Sequence, residues 1–529
     1  MSYFCKLEHN IRSLLDPSSL GNLVIWSFLV GLILASLSSG IIVHAEETIT
    51  NPASYTIWQE GKYYYARDSY GNTVGPSTNA SSIIQGALNA LTSGRTWKEK
   101  LVLRGVFIIS SPLSVPSYTI FDASAAELRA DDYLNAPIIT NSNLTGGNRD
   151  IELYVGVLNG NEDNQNDTWP YPYGVHLGAE NPNEVYNVII QGYFADTLRE
   201  TLFLDRVANA YLDVLCTSSR NYEGIVIRAS HGVQGRITAW DNAEANVYLD
   251  YSWDCQITAT TSKGKYGVGL YASTHNKIKA ITKLAAIDGI FVAGGSDWNE
   301  ISGTSYLNAR DGIWVANSRN VEISGQYYDN GEHGVELYNV NRSKISVISY
   351  KNGRTTTGRH GIYGYNSLHI TVAFSHSYDS QSPKTQDRPI ASAGASDFWE
   401  VVNNDFVDGG LHPPDFVGSH NLIERNLGFV ENSGAASREV SNGESTRADS
   451  NPWNLSLLVF FPFDSSQLLG FVPVILAFAC FGAKGKRKGL TVSMIIAMIL
   501  TYLGWAGSGM VDFVNRLVSS YDICASQEE

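Results

Sequence analysis

A chain of 529 residues is long enough for several average domains or for one extended repeat domain with attachments. Gly is abundant at 48 and Met scarce at 4, while Asn, Ser, Tyr, Ile and Val crowd the middle, which favours strands and turns over helices. The formal net charge of −15 argues against a nucleic-acid groove, which needs clustered Lys and Arg to neutralise phosphates; the one such cluster flanks apolar segments near the C-terminus.

The run from Leu20 to Val43 carries no charge. Lys6 and Arg12 precede it, and Val43 and Ala45 suit the last positions before a signal-peptide cleavage site. Residues 1–45 therefore read as an export signal, or as a retained anchor, since the run is long enough to span a bilayer. Either version places the middle of the chain outside the cell.

From residue 224 onward the chain repeats itself. Aligned on the residue that opens a Gly-Ile-x-Val-like stretch, the units start at Gly224, Asn246, Gly267, Gly289, Gly312, Gly334 and Gly361, at steps of 22, 21, 22, 23, 22 and 27. A second short apolar stretch in each unit carries Ile237, Ile257, Ile278, Ile301, Ile323, Ile345 and Ile370. Both alternate apolar and polar residues at period two, the pattern of strands, and both are too short for paired helices. No such coil can bury its apolar face alone, so Ile225, Ile290, Ile313, Val335 and Ile362 are expected to stack into one inner column. A loop, 380–396, interrupts the late coils.

The stretch 431–453 is polar and rich in Ser, Asn and charge, so a disordered stalk is expected there, within a linker ending near 466. Residues 467–483 and 490–510 are apolar and flank Lys484, Lys486, Arg487 and Lys488. This reads as a transmembrane hairpin over 467–510 with a cytoplasmic loop at 484–488 and a short tail, 511–529. The expected address is the cell membrane, with residues 46–434 extracellular. Five glycosylation sequons agree, at Asn79, Asn143, Asn166, Asn341 and Asn454. Cys5, Cys480 and Cys524 lie near or in the apolar ends, and Cys216 and Cys255 fall two coils apart and out of phase, so no structural disulfide is expected.

Short strands repeated every 22 or so residues resemble the right-handed parallel β-helix of the pectin-lyase-like superfamily. Residues 79–94, NASSIIQGALNALTSG, resemble the amphipathic helix that caps the N-terminal end in that superfamily. Residues 151–165, IELYVGVLNGNEDNQ, resemble the strand and turn that polygalacturonase-like members write as Ile-Asp-Gly-Asn-Gly, and 419–434 looks like a last coil. The resemblance implies an all-β solenoid over roughly 50–434. It does not carry an enzyme across: the polygalacturonase Asn-Thr-Asp is absent, Asp131-Asp132 lies too early for the paired acids, and neither EHG (332–334) nor RSK (342–344) sits in frame.

Chemistry must then come from columns, because coils stack about 4.8 Å apart and equivalent residues align. The residue before each opening Gly gives Asp288, Asp311, His333 and His360 as candidate catalytic groups. Beside them stand Phe291, Trp314, Glu336 and Tyr363, then Tyr271, Tyr338 and Tyr365, with Arg310 nearby, as candidate substrate-binding residues. Acids and imidazoles next to aromatic faces suit a polysaccharide lying across the coils. Asp288 and Asp311 on adjacent coils approach the roughly 5 Å carboxyl separation of retaining glycosidases, and mutual repulsion is expected to raise one pKa. Asp and His before Gly are also ordinary turn residues, so a purely structural ladder is the competing reading. No cofactor is expected; calcium is weighed only at 159–167, where Asn159, Asn161, Glu162, Asp163 and Asp167 offer hard oxygen ligands without the spacing of a calcium loop. Two classes remain open: a glycoside hydrolase, polysaccharide lyase or glycan-binding module, and a non-catalytic structural or adhesive surface protein.

Overall fold

The computed structural model describes residues 53–428 except 356, together with the backbone of the strands Glu431–Asn432 and Arg438–Val440. The export signal, membrane hairpin and tail read from the sequence, with Cys5, Cys480, Cys524 and Asn454, lie outside the described residues. Among the described residues no helix is long and apolar enough to cross a membrane.

The strand registers define a parallel β-helix. Ile225 pairs with Val247, and the column continues through Val268, Ile290, Ile313, Val335, Ile362 and Ile390. Every member is fully buried. Each such side chain contributes roughly 1.5–3 kcal/mol when removed from water, and none can do so unless the next coil is in place. These residues belong to short strands such as Ile290–Ala293, Ile313–Ala316 and Val335–Tyr338, which build one sheet. Longer strands such as Glu300–Tyr306, Glu322–Tyr328 and Lys344–Tyr350 build the second, and each coil contributes to both.

The second apolar column is corrected at its ends. Ile257, Ile278, Ile301, Ile323 and Ile345 do stack, but Gly235 and Val372 complete the column. Ile237 pairs with Ala259 instead, and Ile370 precedes Val372 by two residues. A slip of two residues leaves a side chain on the same face, so apolar spacing alone does not expose it. Gly303 and Gly325 pair in the long-strand sheet at φ +139° and +117°, and a Cβ on Gly325 would lie 2.0 Å from the Gly303 carbonyl oxygen. Only glycine fits that approach.

Turns are held by side chains that reach between coils. Asn330 Oδ1 accepts from the backbone N–H of Asn308, and Asn352 Oδ1 from that of Asn330, at 3.2 Å each. Ser230, Ser252, Ser273 and Ser296 form a second such series, each hydroxyl accepting the N–H of a residue one coil earlier. The asparagines recur in the sequence at a 22-residue step, a ladder signal that the apolar pattern overshadows.

The cap helix α1 spans Ala80–Asn89, with the Asn79 side chain accepting from the Ser82 N–H at 2.9 Å and Ile83, Ile84, Ala87 and Leu88 buried against the first coil. Ahead of it lies an unforeseen antiparallel meander, Tyr55–Glu60, Tyr63–Asp68 and Thr73–Ser77, whose first strand pairs in parallel with Glu99–Ile109. Two further boundaries move. The loop read over 380–396 is a loop only in its first half, because Arg388–Ala393 is a strand paired with His360–Tyr365. At the other end Arg438–Val440 pairs with Leu422–Glu424, so strand pairing continues into the segment read as stalk. Cys216 and Cys255 are free and buried.

Candidate functional site

Of the residues before the opening glycines, Asp288, Asp311 and His333 are buried and bonded to the next coil, whereas Glu223, Tyr266 and His360 are only partly buried. Asp288 Oδ1 accepts the backbone N–H of Asp311 (3.2 Å), Asp311 Oδ1 that of His333 (2.8 Å), and His333 Nδ1 that of His360 (2.9 Å). Asp288, Asp311 and His333 are thus brought together, but beneath the surface rather than along an open edge. His360, partly exposed, has Nδ1 3.8 Å from Asp387.

Arg310, partly exposed, covers the two aspartates. Its guanidinium grips Asp288 with two bonds of 2.9 and 2.8 Å and reaches Asp311 at 3.0 Å, while lying 5.3 Å over the Trp314 ring. Burial raises both aspartates above the usual carboxylate range, and the neighbouring Glu336 carboxylate raises Asp311 further. One guanidinium cannot neutralise three carboxylates. The two-bond contact opposes that rise at Asp288, whereas Asp311, held by a single Arg310 bond, lies beside the Glu336 carboxylate. The acid pair the structure offers is therefore Asp311 with Glu336. The expected Asp288–Asp311 pair is sealed under Arg310, where no water or sugar reaches both.

His333 is neutral, held well below its ordinary pKa by burial and by the facing His360. Its Nδ1 accepts an N–H, so its own proton sits on Nε2, which is buried without a hydrogen-bond partner. Asp311, His333 and Glu336 bring ligand atoms within 4.8 Å of one another, close enough to invite a cation. The donor set does not fit one. A metal-bound imidazole donates its second N–H to an acceptor, whereas the second nitrogen here faces a donor, and Arg310 already occupies Asp311.

The aromatic column is present but turned. Phe291 pairs with Trp314, Trp314 with Glu336 and Glu336 with Tyr363, in the register read from the sequence. Phe291 and Trp314 stack at 5.3 Å and 18°, Tyr363 on His333 at 4.8 Å and 12°, and Tyr338 on Tyr365 at 5.5 Å and 11°. Rings spaced by the coil rise cover one another's faces, so edges rather than flat faces point outward. Tyr271 shares the Tyr338 column, but Ala293 and Ala316 separate them. Glu336 is the one break in the aromatic run from Phe291 to Tyr363. It leaves a gap in the ring column between Trp314 and Tyr363, a notch beside Asp311 and His333 that the Tyr363 ring partly covers where it stacks on His333.

The ladder also extends further than expected. Register places Tyr173, Glu200, Glu223, Ala245 and Tyr266 in the column that leads to Asp288. Glu223 was in frame, one residue before Gly224, and could have been found. Glu200 is 8% exposed, its Oε2 is buried without a partner, and burial pushes its pKa up to about 7. Beside it burial pushes His176 down to about 4, against Phe203 and Tyr173.

The acidic turn weighed for calcium does not close around a centre. Asp163 pairs with Arg220, Asp167 with Arg199, and the amides of Asn159 and Asn161 donate to Asp196 and Asp132. Of the sequons, Asn166 is exposed, Asn79 and Asn143 are exposed with their side chains hydrogen-bonded, and Asn341 is half-buried.

No protein-family model matches the chain, and no curated protein matches it. Among solved structures it is similar to the A-module of the Azotobacter vinelandii mannuronan C-5 epimerase AlgE6, at 14% identity and TM-score 0.45 over 69% of this chain and 96% of that one. It is also similar to the periplasmic alginate epimerase AlgG (14%, TM-score 0.38, 64% of this chain and 76% of that one). A third is tailspike protein 3 of bacteriophage CBA120 (12%, TM-score 0.39, 71% and 62%). The β-helix assignment rests on the registers above, and the site on its own residues.

Proposed function

We propose that the protein is a membrane-anchored, extracellular β-helix that binds a glycan in the notch at Glu336, with Glu336 as the carboxylate that meets it and Asp311 buried behind. The supporting observation is the break itself: a carboxylate replaces a ring between Trp314 and Tyr363, beside a buried acid and an N–H donor at His333 Nε2 with no partner. Sugar hydroxyls supply donors for the Glu336 carboxylate, and the sugar's C–H face packs on the neighbouring ring edges. The anchor rests on the apolar segments of the sequence, and protease shaving of intact cells, which should release the solenoid from its stalk, tests it.

The full-length protein would be screened on a glycan array, and Glu336→Gln and Trp314→Ala compared on any ligand found. Binding or turnover is expected to fall about tenfold or more in each, with both variants still folded by circular dichroism. Unaltered binding in both variants refutes the notch. A second reading, a rigid spacer without ligand, is favoured by one observation: the ladder side chains are bonded to the next coil and the rings to one another. An array with no binder supports that reading.

A further inference from the structure

We propose a second glycan site, on the long-strand sheet over the last coils, that takes a neutral sugar chain. Two open surface grooves of about 500 and 420 Å³ lie there and share His376 and Asp405 as a common wall. Both volumes fall within the range of ligand sites.

The first groove is walled by the loop that interrupts the late coils, and that loop is rigidly seated. The fully buried Asp379 carboxylate accepts the N–H groups of Gln381, Thr385 and Gln386 at 3.0, 2.7 and 2.8 Å. Lys384 Nζ donates to the carbonyls of Asp408 and Gly410, both at 3.1 Å. The groove therefore exists before any ligand arrives. Its floor is the end of a tyrosine stack, Tyr306, Tyr328, Tyr350 and Tyr378, with ring centroids 5.0, 4.6 and 4.9 Å apart and His376 lying 4.6 Å from the last ring.

The second groove holds what the first site lacks, an aromatic ring not consumed by stacking. Phe374 is 75% exposed and lines the groove with Leu427, half-exposed beside it. An apolar platform next to carboxylate acceptors is the arrangement that receives a pyranose, whose C–H face packs on the ring while its hydroxyls donate to Asp405 and Asp408. The charges select a neutral chain. Each basic side chain of the groove already faces a carboxylate, His376 at 3.7 Å from Asp405, Lys384 at 4.0 Å from Asp408 and Arg425 at 3.8 Å from Glu424, so none is left over to receive a uronate. A uronate would bring its carboxylate against two others.

This site does not rest on the notch at Glu336, so the two fail separately. The full-length protein would be titrated with neutral and with uronate oligosaccharides from the array, alongside Phe374→Ala, Asp405→Asn and Glu336→Gln. Neutral ligands are expected to bind, to weaken about tenfold in Phe374→Ala and Asp405→Asn, and to be unaffected by Glu336→Gln. Circular dichroism melting verifies that the variants fold. Absence of neutral binding, a preference for uronates, or neutral binding that survives both groove substitutions overturns the proposal; loss only in Glu336→Gln assigns the ligand to the notch instead.

Discussion

Replacing Glu200 by Gln is expected to stabilise the protein, and more so as pH rises. Glu200 is buried with an unpartnered Oε2, and chiefly that burial moves its pKa from 4.5 to about 7, with Glu223 on the next coil adding to the effect. Between those two values the folded protein keeps a proton that the unfolded chain has released. Stability therefore falls as pH rises through that window. At 1.36 kcal/mol per unit the loss comes to about 3 kcal/mol, complete above pH 7. Gln is of similar shape and cannot ionise, so it escapes this penalty. Urea unfolding of the full-length protein and of Glu200→Gln, followed by tryptophan fluorescence at pH 4.5, 6, 7 and 8, measures the difference directly. The two should agree at the lowest pH and diverge by about 3 kcal/mol at the highest. A constant difference across the series would mean that Glu200 is ionised in the folded state, and the assignment of its environment would fall.

Burial holds His176 at about 4, so the folded state resists a proton that the unfolded chain takes up below 6.5, and stability falls as pH drops from 6.5 to 4. His176→Gln should therefore retain up to about 3 kcal/mol at pH 4 that the native protein loses, seen as a lower acid-unfolding midpoint. Asn330→Ala removes the acceptor of the Asn308 N–H and the donor to the Ser305 carbonyl, and should cost about 2–4 kcal/mol with faster hydrogen exchange at the Asn308 amide. Trp399 is buried, and its indole N–H donates to the Ser367 carbonyl at 2.9 Å, so Trp399→Ala should cost about 3–5 kcal/mol by chemical denaturation.

The solenoid was legible because its signal is periodic. A residue such as Ile313 has the same neighbours in sequence as Ile290 and must meet the same fate, so seven opening positions fell into register without error. The meander at 55–77 occurs once and had no echo to betray it, although Gly61 and Gly71 punctuate its alternation. Columns could be read, but side-chain direction could not. Trp314 and Phe291 were aligned correctly, yet whether their rings face solvent or each other depends on rotamers that sequence spacing does not fix. The same gap hid the burial of Asp288 and Asp311. Their position in the coil was right, and it took the hydrogen bonds from Asp311 and His333 to show which way the carboxylates turn.

The inter-coil side chains point in opposite senses. Asn330 and Ser252 accept N–H groups from the coil before them, whereas Asp288 and Asp311 accept from the coil after. Removing a coil at either end of the stack would therefore strand donors in one series and acceptors in the other, at roughly 1–3 kcal/mol for each buried group left unmatched. Inserting a whole coil in the interior strands nothing, because the newcomer accepts in both directions. Such a molecule lengthens most readily from the middle, by copying a coil beside itself. The shared Asp-Gly-Ile-x-Val-Ala and Glu-Ile-Ser-Gly of 288–310 and 311–333 are the mark such an event would leave.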